Sequence, residues 1–205
     1  RRSSDLVYYE RCLWVAIMEG QVRHGLDIPA EHIEDYKSVM GHIDLASIAE
    51  REKKSRHDVN SRIEEFNALA GHQDIQKGMT SRDLTENVEQ LQIRLGMDVV
   101  KARMLATLAR FATRAAEYST LVMTGRSHNV PAQMITAGKR FANAGEELLN
   151  AYEAIEQLMG RYSLRGIKGP MGTQQDMLDL LGDPEDVEML EMEIANELGF
   201  ETILN

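Results

Sequence analysis

Of the six histidines, two stand among other hydrogen-bonding side chains: His57 within Arg56-His57-Asp58-Val59, and His128 within Gly125-Arg126-Ser127-His128. Imidazole titrates near neutrality and is the usual general acid or base, so these two are the candidates for moving a proton. His24, His32, His42 and His72 lie in ordinary helix ends or loops and read as surface residues. No His-x-x-x-His or Glu-x-x-His pairing occurs and Cys12 is the only cysteine, so neither a metal site nor an internal disulfide is expected. Thr80 and Ser81 offer hydroxyls at the start of a long helical pattern, and Asp83 completes a capping box with Thr80. Free N–H groups and the helix dipole suit such a place to a carboxylate or phosphate, although a plain helix cap has the same residues. The loop from Gly166 to Gln174 carries glycines that let backbone approach an anion closely. It matches neither the phosphate loop nor the dinucleotide fingerprint.

These residues need elements to position them, and the sequence supplies helices. Proline is rare, strong helix formers are abundant, and alternating strand-like runs are hard to find, which together give an all-α class. The dominant stretch runs from Lys77 to His128, where Leu84, Val88, Leu91, Leu95, Val99 and Leu105 recur every three or four positions. A helix over most of it would be about 55 Å long and needs neighbours along its length. A second long pattern from Lys139 to Tyr162 suggests antiparallel packing into a bundle, with an irregular stretch around Pro131 and Gly138 between them. Shorter helical patterns cover Leu6 to Val22, Pro29 to Val39, Leu45 to Lys54 and Asp58 to Ala70. The expected organisation is an N-terminal helical domain over residues 1–78 and the first part of a long-helix bundle over 79–205. After the glycine-rich loop come a short helix to Leu181 and an acidic amphipathic helix from Asp183 to Leu198.

The net charge of −10 argues against a general nucleic-acid surface. It does not forbid a local basic pocket for an anionic ligand. The apolar run Leu13 to Met18 is too short for a membrane segment or a signal sequence, so a cytoplasmic location is expected.

Taken together, the motifs are more specific than any one of them. Arg56-His57-Asp58-Val59, Gly78-Met79-Thr80-Ser81-Arg82-Asp83, Gly125-Arg126-Ser127-His128 with Pro131-Ala132-Gln133 and Gly138-Lys139-Arg140, and Lys168-Gly169-Pro170-Met171-Gly172-Thr173-Gln174 follow in that order. In this order and spacing the chain resembles the adenylosuccinate lyases of the fumarase/aspartase superfamily, from about Glu10 onward. The resemblance implies a homotetramer built on a helical bundle, with each active site shared among subunits. It implies β-elimination of fumarate from adenylosuccinate and from the succinylated imidazole-carboxamide ribotide, in purine (AMP and IMP) biosynthesis, without a cofactor. It assigns His128 as the catalytic acid. Thr80 and Ser81 would hold a succinyl carboxylate, and Arg56, His57, Asp58, Ser127 and Gln174 would contact substrate. Gln76, Lys77 and Lys139 are further candidates.

Some positions depart from the family pattern. Gln76 replaces the usual histidine, Ser127 the usual threonine, and the phosphate-contacting Arg-Tyr pair is not recognisable in Arg1 to Tyr9. The mobile loop bearing the family's catalytic serine is not within these residues, so the 205 residues alone are expected to be inactive. The alternatives are another superfamily lyase, such as an argininosuccinate lyase, or a helical assembly module without catalysis.

Overall fold

The computed structural model describes residues 3–204; Arg1, Arg2 and Asn205 lie outside them, and with them part of the stretch scanned for the Arg-Tyr pair. The described residues are predominantly helical and pack into two compact units, each described by itself. The first takes the chain up to Gln92 together with Ser163 onward, and the second is Ile93–Tyr162. The boundary expected at residues 78 and 79 lies inside the first unit.

Helix α1 (Ser3–Arg23) enters the first unit, and every residue from Leu13 to Met18 is buried. A helix apolar on all faces belongs in a core, and α1 packs on α2 (Ala30–Val39) and on α8 (Pro184–Glu197). The aromatic centre is Phe66, with Trp14 stacked 6.2 Å away and Tyr36 edge-on at 5.0 Å. Arg11 is fully buried there. Its Nη1 donates to the carbonyls of Val39, Met40 and His42 at 3.0, 3.1 and 3.0 Å. Carbonyls at a helix end have no partner within the helix, so Arg11 closes α2. It also pairs with Glu65, whose Oε1 accepts from the Asp44 N–H at 3.0 Å. One buried arginine thereby fixes the end of α2 and the start of α3 (Leu45–Ser55), which Asp44 caps at the N–H groups of Ala46 and Ser47. Helix α4 (Asp58–Ala70) follows at once, and after a loop comes α5 (Ser81–Glu117). After Ser163 the first unit adds the glycine-rich loop, α7 (Gln175–Leu181) and α8.

The apolar stripe on α5 splits in two. Leu84, Val88 and Leu91 are buried in the first unit, while Val99 and Leu105 keep 61% and 57% of their surface exposed. In the second unit α5 runs antiparallel to α6 (Ala137–Gly160). Lys101 pairs with Glu156 at 2.7 Å, Phe111 faces Phe141 at 6.4 Å, and Gly138 sits against Ser119. A Cβ on Gly138 would stand 2.8 Å from the Ser119 Cα, so only glycine permits this approach.

The segment between these helices is not the irregular stretch that the sequence suggested. It is a β-hairpin, β1 (Val122–Ser127) paired antiparallel with β2 (Val130–Thr136), with a register irregularity at Gly125/Arg126. Most of its residues are exposed, so the alternation that marks a half-buried strand had no buried face to encode.

Candidate active site

The start of α5 and the glycine-rich loop are joined by one carboxylate. Asp83 is fully buried and accepts from the Thr80 N–H at 2.8 Å, as a capping box requires. Its other contacts are with the distant loop: the N–H groups of Lys168 and Gly169 at 2.9 and 3.1 Å, and the guanidinium of Arg165. Asn87, one turn further on, exchanges two hydrogen bonds with the backbone of Gly166, both at 2.9 Å. Glu191 on α8 holds the far side, accepting from the Ile167 N–H at 2.6 Å and from Lys168 Nζ at 2.9 Å. Gln174 closes the loop on itself, its N–H to Lys168 O at 3.1 Å and its Nε2 to Ile167 O at 3.3 Å. Thr80, Ser81 and the loop bearing Gln174 are therefore one assembly in which the amide-rich end of α5 stays partly exposed. Donors gathered at a helix N-terminus can hold a carboxylate.

Two of the further candidates are committed locally. Gln76 has a positive φ of 68°, and its Oε1 accepts from Trp14 Nε1 at 2.6 Å while its Nε2 donates to Met79 O at 3.4 Å. Lys77 pairs with Asp74 at 2.7 Å. Gln76 thus supports the turn that leads into Thr80.

Arg56, His57 and Asp58 form an exposed group at the junction of α3 and α4. Arg56 takes the left-handed conformation that ends α3, and His57 caps α4, its Nδ1 accepting from the Asn60 N–H at 3.2 Å. Behind them Arg62 donates through Nη2 to Asp58 at 2.9 Å, and its Nε forms an ion pair with the buried Glu10 at 2.7 Å. Partial burial pushes the Asp58 carboxyl up, but the hydrogen bond and charge of Arg62 and the Val59 N–H bring it below its ordinary value. Burial raises Glu10 from 4.5 to about 7; Arg62 opposes the rise and Asp58 adds to it.

A carboxyl whose folded pKa lies above its unfolded value binds more protons in the folded state between the two. Its stabilising contribution is complete below about pH 4.5 and is lost as pH rises through about 7. Glu10→Gln mimics the neutral form. Its stability relative to the natural protein should therefore rise by a few kcal/mol from pH 4.5 to 7.5. Thermal melts of the two proteins across that range test this, and a constant difference would contradict it.

In the second unit, Ser127 ends β1, and His128 and Asn129 are the two residues of the hairpin turn, with φ of 48° and 65°. Positive φ at both central positions is the type I′ arrangement, whose twist matches that of the strands. Arg126 Nη1 bonds the Asn129 carbonyl at 2.9 Å across the turn. The His128 imidazole is thereby carried at an exposed tip. Along the hairpin lies an open cleft of about 650 Å³ lined by Gly125, Arg126, Gln133 and Arg140, whose two guanidiniums suit an anion. Lys139 lies in the first turn of α6, its N–H bonded to Thr136 Oγ1 at 3.1 Å.

The first unit thus brings Thr80, Ser81 and Gln174 together and holds Arg56, His57 and Asp58 as a separate group, while Ser127, His128 and Lys139 belong to the second unit. The sequence reading missed the loop-binding role of Asp83 and its partners Arg165, Asn87 and Glu191. Only the capping box gave a local signal; the rest are contacts between residues far apart in the chain. The run from Asp183, expected as an acidic amphipathic helix, buries one of its own carboxylates, Glu191.

The sequence profile of the lyase family matches residues 27–177. The adenylosuccinate lyase of Schistosoma mansoni is 32% identical over 93% of this chain and 41% of its own length. That of Saccharomyces cerevisiae is 30% identical over 94% of this chain and 41% of its own. The chain spans about two fifths of the curated relatives it matches. Among solved structures, the fumarate lyase from Mesorhizobium sp. BNC1 superposes with a TM-score of 0.84 at 20% identity, over 98% of this chain and 47% of that one, and so shares the fold.

Proposed function

The chain belongs to the lyase family, and from that membership we propose that the whole protein is an adenylosuccinate lyase, a carbon–nitrogen lyase of purine biosynthesis. The observation that carries this reading is the Asp83-centred assembly, which sets the hydroxyls of Thr80 and Ser81 and the Ser81 amide beside the loop bearing Gln174. It is a place for the succinyl carboxylate that must accept negative charge when the neighbouring Cβ–H proton is removed. Holding that carboxylate by fixed dipoles stabilises the carbanion as it forms. His128, on its hairpin tip, is the proposed acid that protonates the departing nitrogen, with Ser127 contacting substrate beside it. Arg56, His57 and Asp58 are proposed to bind the nucleotide portion, and Lys77 and Lys139 to add positive potential. The base is proposed to be a serine of a loop outside these 205 residues, so the residues by themselves should release no fumarate.

A 37-residue helix such as α5 rises about 55 Å, and its stripe beyond Gln92 is exposed in the single chain. Both support a bundle assembled from several copies, proposed as a tetramer, with Thr80 and Ser81 of one copy serving the His128 of another. The assay is fumarate release from adenylosuccinate by the whole protein. Turnover of argininosuccinate instead would replace this reading with the sibling activity, and assembly without turnover of either would favour a non-catalytic module.

A further inference from the structure

His32 on α2 and His72 in the loop after α4, both expected to be plain surface residues, stack face to face. Their ring centroids are 3.6 Å apart and their planes 16° from parallel. Asp74 Oδ2 lies 2.7 Å from His32 Nδ1, and Asp35 Oδ2 lies 2.8 Å from His72 Nε2. Lys77 donates to the other oxygen of Asp74 at 2.7 Å. One ligand atom from each of His32, His72 and Asp74 falls within 4.8 Å of the others. Their side chains are 25%, 22% and 15% exposed, which leaves a path in from solvent.

We propose that His32, His72 and Asp74 bind a divalent transition-metal ion of the zinc class, which staples α2 to the loop leading into Thr80 and Ser81. Two imidazoles and one carboxylate, with water in the fourth position, are a zinc ligand set. Calcium or magnesium would call for oxygen ligands throughout. The Asp35 carboxylate on His72 Nε2 holds the N–H there and leaves the lone pair on Nδ1, the usual arrangement behind a metal-bound histidine.

The donor-atom separations need to change by no more than about 1.5 Å. Ligands 2.0–2.1 Å from a tetrahedral zinc stand about 3.4 Å apart. The His32–Asp74 contact of 2.7 Å therefore opens by less than about 1 Å, with the ion replacing the proton between them. An ion lies near the plane of each imidazole that ligates it, so the stacked rings must also turn apart. An open cavity of about 590 Å³ bordered by Gly71, His72 and Gln73 leaves His72 room to do so. Charge favours the change: two carboxylates face one lysine across this group.

The test uses the whole untagged protein, stripped with a chelator and titrated with cobalt(II) and zinc(II). The expected result is one ion per chain at micromolar or tighter affinity, with the visible absorption of four-coordinate cobalt. His32→Ala and His72→Ala should each weaken binding by at least tenfold, and Asp35→Asn, through its hold on His72, by about 10–100-fold. His42→Ala, at an exposed histidine outside the group, should leave binding unchanged. These side chains are partly exposed, so the variants should fold, which circular dichroism checks. The proposal is overturned by an absence of saturable binding below millimolar metal, or by binding that survives the His32→Ala/His72→Ala double substitution.

Discussion

Replacing His128 in the whole protein should lower fumarate release by about two to four orders of magnitude, the usual contribution of a positioned acid, while leaving the assembly intact. The hairpin turn dictates which substitution to make. His128 holds a φ of 48°, which alanine adopts poorly but asparagine adopts readily. His128→Asn therefore removes the titrating ring while keeping the turn, and His128→Ala measures the added cost of straining it. Both should lose the limb of the pH–rate profile that belongs to the acid. If His128→Asn keeps full turnover with an unchanged profile, the acid lies elsewhere.

The largest effect on stability is expected at Asp83. Its two oxygens serve the Thr80, Lys168 and Gly169 N–H groups and the Arg165 guanidinium from a fully buried position. Asp83→Ala leaves those donors without their acceptor and Arg165 with only Glu86, at 2.7 Å, as a carboxylate partner. Removing one member of a buried ion pair costs about 3–5 kcal/mol, which chemical denaturation of the two proteins would reveal. Asp83→Asn keeps the shape and one acceptor, and should cost less. Because the same bonds join the start of α5 to the loop of Gln174, substrate binding should weaken in both variants under conditions where they remain folded. A loss below about 1 kcal/mol for Asp83→Ala would mean that water replaces these bonds and the loop is held by other contacts.

The helices were legible because their signals are local. Asp44 and Asp183 cap where a short polar side chain precedes an apolar period, and Gly71 and Gly182 end α4 and α7 at positive φ. The hairpin was not legible, because strands exposed on both faces carry no alternation and His128-Asn129 is an uncommon spelling of a type I′ turn. Of the candidate site, the cap at Thr80 could be read and the carboxylate behind it could not. Asp83 meets Lys168 and Gly169 across more than eighty residues, a separation no periodicity records. The stacked pair of His32 and His72 was missed for the same reason: α2 and the loop after α4 meet only through the fold.

Helix α5 passes from one compact unit to the other between Gln92 and Ile93, in the middle of an unbroken run from Ser81 to Glu117. Domains are ordinarily joined by exposed, polar linkers that proteases cut and engineers exchange. Here the joint is a hydrogen-bonded helix, and severing it removes backbone bonds from both sides at once. A chain so built offers no seam at that point.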